Sequence, residues 1–93
     1  MKQIQVAVLS ETSNCPVVQL PDRKYPGVVL QGDSLRILLD SAEEIRELSA
    51  KVQDAELSDA VASLKEKLAG YVSVFEQTMK ANGRDLPYPT IPE

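Results

Sequence analysis

The sequence predicts an α+β fold: a three-stranded antiparallel β-meander covered by two C-terminal helices, with an extended Pro-rich tail. Three observations lead there. Ile4, Val6 and Val8 alternate with Gln3, Gln5 and Ala7 at the start of the chain, and a period of two marks a half-buried strand. From Leu35 onward the apolar positions change to three-and-four spacing, the period of an amphipathic helix. Pro87, Pro89 and Pro92 punctuate the close, which no helix tolerates. A length of 93 residues suits one domain with a thin core, placed at residues 1–84 with the tail at 85–93.

The elements follow in order. A first strand is expected over Gln3 to Leu9. Thr12, Ser13, Asn14 and Pro16 then supply turn chemistry. Val17 to Leu20 is a second β-prone run, ended by Pro21 and a charged turn at Asp22, Arg23 and Lys24. Tyr25-Pro26-Gly27 leads into a third, Val28 to Gln31. Short strands with tight polar connections read as a meander, and such a sheet needs cover on its apolar face.

Gly32-Asp33-Ser34 ends the strands and opens the first helix, where Asp33 or Ser34 can accept a hydrogen bond from the first turn. Leu35, Leu38, Leu39, Ala42, Ile45, Leu48 and Val52 keep helical spacing. Ser41-Ala42-Glu43-Glu44 also fits a capping box, which leaves a break near Asp40 open. A polar patch, Gln53 to Glu56, separates this from a second helix. There Leu57, Val61, Leu64, Leu68, Tyr71, Phe75 and Met79 trace a seam close to a heptad. Asn82-Gly83 is a good stop, because Gly tolerates the left-handed conformation after the last turn. A helix from 57 to 82 would be about 39 Å long. A compact domain of this size has a radius of gyration near ~12 Å. The helix therefore bends near Gly70, or its end overhangs and finds a partner.

Composition narrows the chemistry. His is absent and Cys15 is the single Cys, which removes imidazole-assisted nucleophiles, internal disulfides and thiolate clusters. The net charge of −4 lies wholly in residues 34–60, where Arg36, Arg46 and Lys51 face seven acids. Direct binding to nucleic acid is disfavoured, since that needs clustered Lys and Arg; a basic protein partner suits the charge better. Asp40 with Glu44, and Glu43 with Glu47, stand four apart on one helical face. Such pairs can hold a metal or divide acid and base roles, but without a second converging element they are surface acids. Cys15 lies before Pro16 with no neighbouring cation in sequence, which favours an inert thiol. Neither catalysis, nor a metal, nor a cofactor is expected. No run approaches a signal-peptide core or a membrane span, and the expected location is cytoplasmic.

The run Tyr25 to Ile45, YPGVVLQGDSLRILLDSAEEI, resembles the signature of HicB-type antitoxins: Pro-Gly ending a turn, a short strand, Gln-Gly-Asp-Ser/Thr-Leu, then a helix. The Pro-punctuated close from Gly83 to Pro92 is similar as well. The chain also resembles a family of small bacterial proteins of unknown function that share its Thr-Ser-Asn stretch and its Pro-Gly-Val-Val-x-Gln-Gly-Asp-Ser-Leu core. The antitoxin resemblance implies a partial RNase-H-like fold without catalytic carboxylates, and a role in covering a small basic RNA-cleaving toxin. The sequence departs from that pattern in its first hairpin (Glu11 to Pro16), in its long second helix and in having no DNA-binding domain after the tail. Read physically, Pro26, Gly27, Gln31, Gly32, Asp33 and Ser34 form a structural motif. The glycines bracket a strand, Gln31 can bond its ends, and Asp33 caps the helix.

The expected function is a non-enzymatic protein-binding module of the antitoxin or immunity class. Asp40, Glu43, Glu44 and Glu47 would dock the basic partner. The alternative is a homo-oligomeric structural protein, a homodimer or larger, assembling through the second helix with Tyr71, Phe75 and Met79 at the contact.

Overall fold

The computed structural model describes residues 2–10 and 15–90. The turn expected at Thr12 to Asn14 and the last residues of the tail, 91–93, lie outside them. The architecture is α+β, a three-stranded antiparallel sheet and two helices. The chain divides into two compact units, residues 1–31 and 32–93.

The first unit holds the sheet. Strands β1 (Ala7–Ser10), β2 (Val17–Gln19) and β3 (Gly27–Val28) pair in sequence order. Val8 stands opposite Val18, and Val18 opposite Gly27. The register slips by one residue between Val8 and Ser10, a bulge that carries Leu9 out of step. The amide of Val29 donates to the carbonyl of Pro16 at 2.9 Å and extends the second ladder. Strand β1 is shorter than the alternation suggests. The Gln3 to Val6 half of the pattern has no neighbour to pair with, because β2 offers only three residues, and a ladder needs two strands. The β2–β3 connection turns at Leu20-Pro21-Asp22-Arg23. There Pro21 presets φ, the Arg23 amide donates to Leu20 at 3.3 Å, and the Gln19 side chain donates to the Arg23 carbonyl at 2.6 Å. The ammonium of Lys24 sits 5.4 Å from the centre of the Tyr25 ring. Cys15 is half-buried just before β2.

The second unit is a helical hairpin. Helix α1 spans Gly32–Ser49 and helix α2 Ala55–Ala81. Helix α1 runs unbroken through Asp40 and Ser41, so the alternative break is not used: its apolar period continues across that point and outweighs the capping-box signal. It begins one residue before Asp33, whose carboxylate accepts from the Ser34 amide at 2.9 Å. It stops at Ser49 rather than Val52. The Ser49 hydroxyl donates to the Arg46 carbonyl at 2.8 Å, and tight bonds from Lys51 to Leu48 and from Val52 to Ser49 close the last turn. Asp54 caps α2 from an extended backbone, its side chain accepting from the Leu57 amide at 3.1 Å. That bond satisfies one of the orphan N–H groups of the first turn and starts the helix two residues earlier than the apolar pattern alone.

Helix α2 runs unbroken through Gly70 and is about 40 Å long at 1.5 Å per residue. It ends as Asn82-Gly83 requires. Gly83 takes φ +65°, its amide bonds to Lys80, and the Arg84 amide returns to the Met79 carbonyl at 2.9 Å, the Schellman closure.

The helices are antiparallel, because Gly32 at the start of α1 lies against the Phe75 ring near the end of α2. On α1 the packed face follows Gly32, Leu35, Leu39, Ala42 and Ser49. On α2 it follows Val61, Lys65, Leu68, Val72, Phe75 and Met79. The expected α2 seam is therefore half correct. Val61, Leu68, Phe75 and Met79 face inward, but Val72, only 3% exposed, stands where Tyr71 was expected, and Tyr71 is 65% exposed. Leu64 likewise gives way to Lys65, which fits a packed position by burying its aliphatic stem.

Candidate functional site

At 100° per residue, α1 presents three distinct surfaces. One packs on α2. A second collects Asp40, Glu43, Glu44 and Glu47 within an arc of about 100°. A third, on the other side of the packed face, carries the exposed side chains of Ile37, Leu38, Ile45 and Leu48. Helix α2 has the same division in part, with Leu57, Leu64, Tyr71 and Val74 exposed beside its packed face. In an antiparallel pair, both apolar stripes are offset from the packed seam in the same rotational sense along their own chains. They therefore open on the same side of the hairpin.

The acidic surface is the expected one. Asp40, Glu44 and Glu47 are exposed and Glu43 is half-buried. Asp40 pairs with Arg36, Nε to Oδ1 at 3.0 Å, one helical turn away. Among the described residues Glu43, Glu44 and Glu47 have no such cation, so their charge is left to solvent or to a partner. An exposed pair like Arg36–Asp40 contributes well under ~1 kcal/mol, so it costs little to open.

Sequence reasoning missed the anchor beside this surface. Tyr88, in the segment after α2, donates its hydroxyl to the Glu76 carboxylate at 2.8 Å. Burial, then the hydrogen bond to Glu76 and its negative charge, pushes the Tyr88 phenol up to about 12, with Arg36 acting in the opposite sense and Asp40 reinforcing. Tyr88 therefore sits within electrostatic reach of the Arg36–Asp40 pair as well as of Glu76. The Pro residues on either side were legible; the carboxylate twelve residues back was not.

The residues expected at a self-association contact divide. Tyr71 is exposed, whereas Phe75 and Met79 are half-buried and Phe75 rests on Gly32 within the chain. The motif residues divide too: Pro26, Gly27 and Gln31 belong to the first unit, Gly32, Asp33 and Ser34 to the second. Gln31 is exposed, and no hydrogen bond of its side chain is found among the described residues. The bond that fixes the β2–β3 connection is made by Gln19 instead. Gly32 proves to be a packing glycine, since a Cβ there would fall inside the Phe75 ring. An open hollow beside the β2–β3 turn is lined by Val18, Leu20 and Val28 together with Arg23 and Lys24.

Among the described residues no three His, Cys, Asp or Glu side chains gather to hold a metal ion, and no helix is long and apolar enough to cross a membrane. The class defined by these features is a small α+β protein with a two-helix hairpin. Its model match extends over residues 1–88, and the chain belongs to this family of unknown function, DUF6959. No curated protein and no solved structure matches it.

Proposed function

We propose that this protein is a non-enzymatic binding module that covers the basic surface of a small partner protein, in the manner of an antitoxin or immunity protein. The observation that carries this reading is the acidic surface of α1. The entire net charge of the chain falls in residues 34–60, and of the four carboxylates on this surface Glu43, Glu44 and Glu47 have no cation among the described residues. Opposite charge mainly raises the rate of encounter and selects the partner. The likeness of Tyr25 to Ile45 to HicB-type antitoxins supports the narrower form, in which the covered surface binds RNA. Occlusion needs no catalytic group, cofactor or direct contact with nucleic acid on this chain.

The test is affinity capture from the native host, with the wild-type protein and with Glu43→Lys/Glu47→Lys as bait. A basic protein retained by the wild type and lost by the variant is the expected result. Equal retention by both baits, or direct retention of RNA or DNA by the purified protein at physiological salt, would overturn the reading. A second reading, a homo-oligomeric structural protein, is favoured by one observation: Tyr71 and its apolar neighbours on α2 stand exposed.

A further inference from the structure

We infer that the apolar stripe shared by α1 and α2 is occupied by a second copy of this chain, so that two hairpins close into an antiparallel four-helix bundle. The inference deepens the second reading above, by naming the surface and the symmetry, and it shares only Glu44 with the acidic docking surface.

The hairpin is under-packed as it stands. Among the described residues of the two helices, only Leu39, Ala42, Ser49, Val61 and Val72 are buried. Helices of this kind draw most of their stability from burying an apolar face. A second apolar face is available and is regular: Leu38 and Ile45 are one heptad apart on α1, and Leu57, Leu64 and Tyr71 continue at heptad steps on α2. Sustained seven-residue spacing is the pattern that a facing helix fills. Both stripes open on the same side, and another copy of the hairpin brings two helices with matching stripes to face them.

The charges at the rim choose the pairing. Lys67 is set into the outer edge of the α2 stripe, and Glu44 borders the stripe of α1. A two-fold axis along the bundle lays α1 of one copy on α2 of the other and keeps every residue at its own level. With Gly32 level with Phe75, Glu44 comes within about one helical turn, ~6 Å along the axis, of the partner copy's lysine at position 67. By the two-fold symmetry this meeting of opposite charges occurs once on each rim. The other two-fold arrangement, α1 on α1, would bring Glu44 toward its own copy and forfeit this complementarity. The symmetry is isologous and closes at two copies.

Light scattering on the size-excluded full chain, at concentrations from about 5 to 500 μM, reads the result against micromolar affinities typical of modest interfaces. The expected wild-type mass is that of a dimer at the upper end, with a melting temperature that rises with protein concentration, as mass action requires. Leu64→Glu and Ile45→Glu should each shift the dissociation midpoint upward by at least tenfold, while Gln77→Glu, away from the stripe, leaves it unchanged. Because a charge on the stripe also tests folding, Lys67→Glu is measured alone and with Glu44→Lys. The single change should weaken the dimer and the pair should restore it. A monomeric wild type at 500 μM overturns both this inference and the oligomeric reading. A dimer unaffected by the Leu64 and Ile45 variants overturns the inference alone, because assembly then uses another surface.

Discussion

Replacing Gly32 by Ala should destabilise the protein, whereas the same change at Gly70 should stabilise it. Both glycines lie in helices, and Ala is favoured over Gly in a helix interior by about 1 kcal/mol. At Gly70 nothing stands within contact of an added Cβ, so Gly70→Ala should gain most of that, roughly 0.5–1 kcal/mol. At Gly32 the added Cβ would coincide with the far end of the Phe75 ring. The ring must swing out. It is half-buried, so it forfeits about half of the ~1.5–3 kcal/mol that full burial of such a side chain provides, together with its contacts to α1. The propensity gain is smaller at a helix's first residue, and the net cost is about 1 kcal/mol. The two variants should therefore differ by about 1.5–2 kcal/mol, which is roughly 10 °C in melting temperature for a domain of this size.

Thermal unfolding followed by circular dichroism, at one protein concentration, measures the difference. A double-mutant cycle with Phe75→Leu sharpens it. With the ring removed, Gly32→Ala should lose most of its penalty, giving a coupling of at least ~0.5 kcal/mol. Equal stability of the two alanine variants, or no coupling to Phe75, would refute the placement of that ring on α1.

Other outcomes follow from the same structure. Asp54→Ala should cost about 1 kcal/mol and Asp54→Asn much less, because either oxygen-bearing side chain can cap Leu57; urea midpoints decide this. Tyr88→Phe should cost about 0.5–1.5 kcal/mol through the lost bond to Glu76. The Tyr88 phenol is raised to about 12 in the folded chain from 10.0, so the unfolded chain releases this proton first. The stability tied to Tyr88 is thus fully present below pH 10 and is lost between pH 10 and 12. Denaturation midpoints should fall over that window in the wild type, and less steeply in Tyr88→Phe. A wild-type slope identical to that of the variant would show that the Tyr88 phenol does not titrate differently in the folded chain.

The two helices were legible because their periods are long and their stops are chemical. Gly83 supplies the left-handed residue that a helix end needs, and the structure uses it so. The acid surface of α1 was legible because four carboxylates within eight residues must share a helical arc. The seam of α2 was only half legible. Its sequence carries two apolar stripes, one through Val61, Leu68 and Val72 and one through Leu57, Leu64 and Tyr71. Periodicity alone does not say which of them faces α1. Gly32 read as a strand terminator because its real constraint, a ring 43 positions further on, is non-local. The same holds for Tyr88 and Glu76. Asp54 was hidden in a polar patch whose capping geometry shows only once the Leu57 amide is placed. The bounds of β1 were set by the length of its partner, which alternation within one strand does not encode.

Recruitment of a basic partner by the acidic surface of α1 should show first in the association rate. The captured partner is immobilised, and binding of wild-type protein and of Glu43→Lys/Glu47→Lys is followed by surface plasmon resonance at 0.1 M and 0.5 M salt. Screening shortens the reach of charge from about 10 Å at 0.1 M toward ~3 Å at 1 M. Charge reversal and high salt should each slow association at least severalfold while changing dissociation less. An association rate indifferent to both would show that these carboxylates are solvated surface and that the partner is chosen elsewhere.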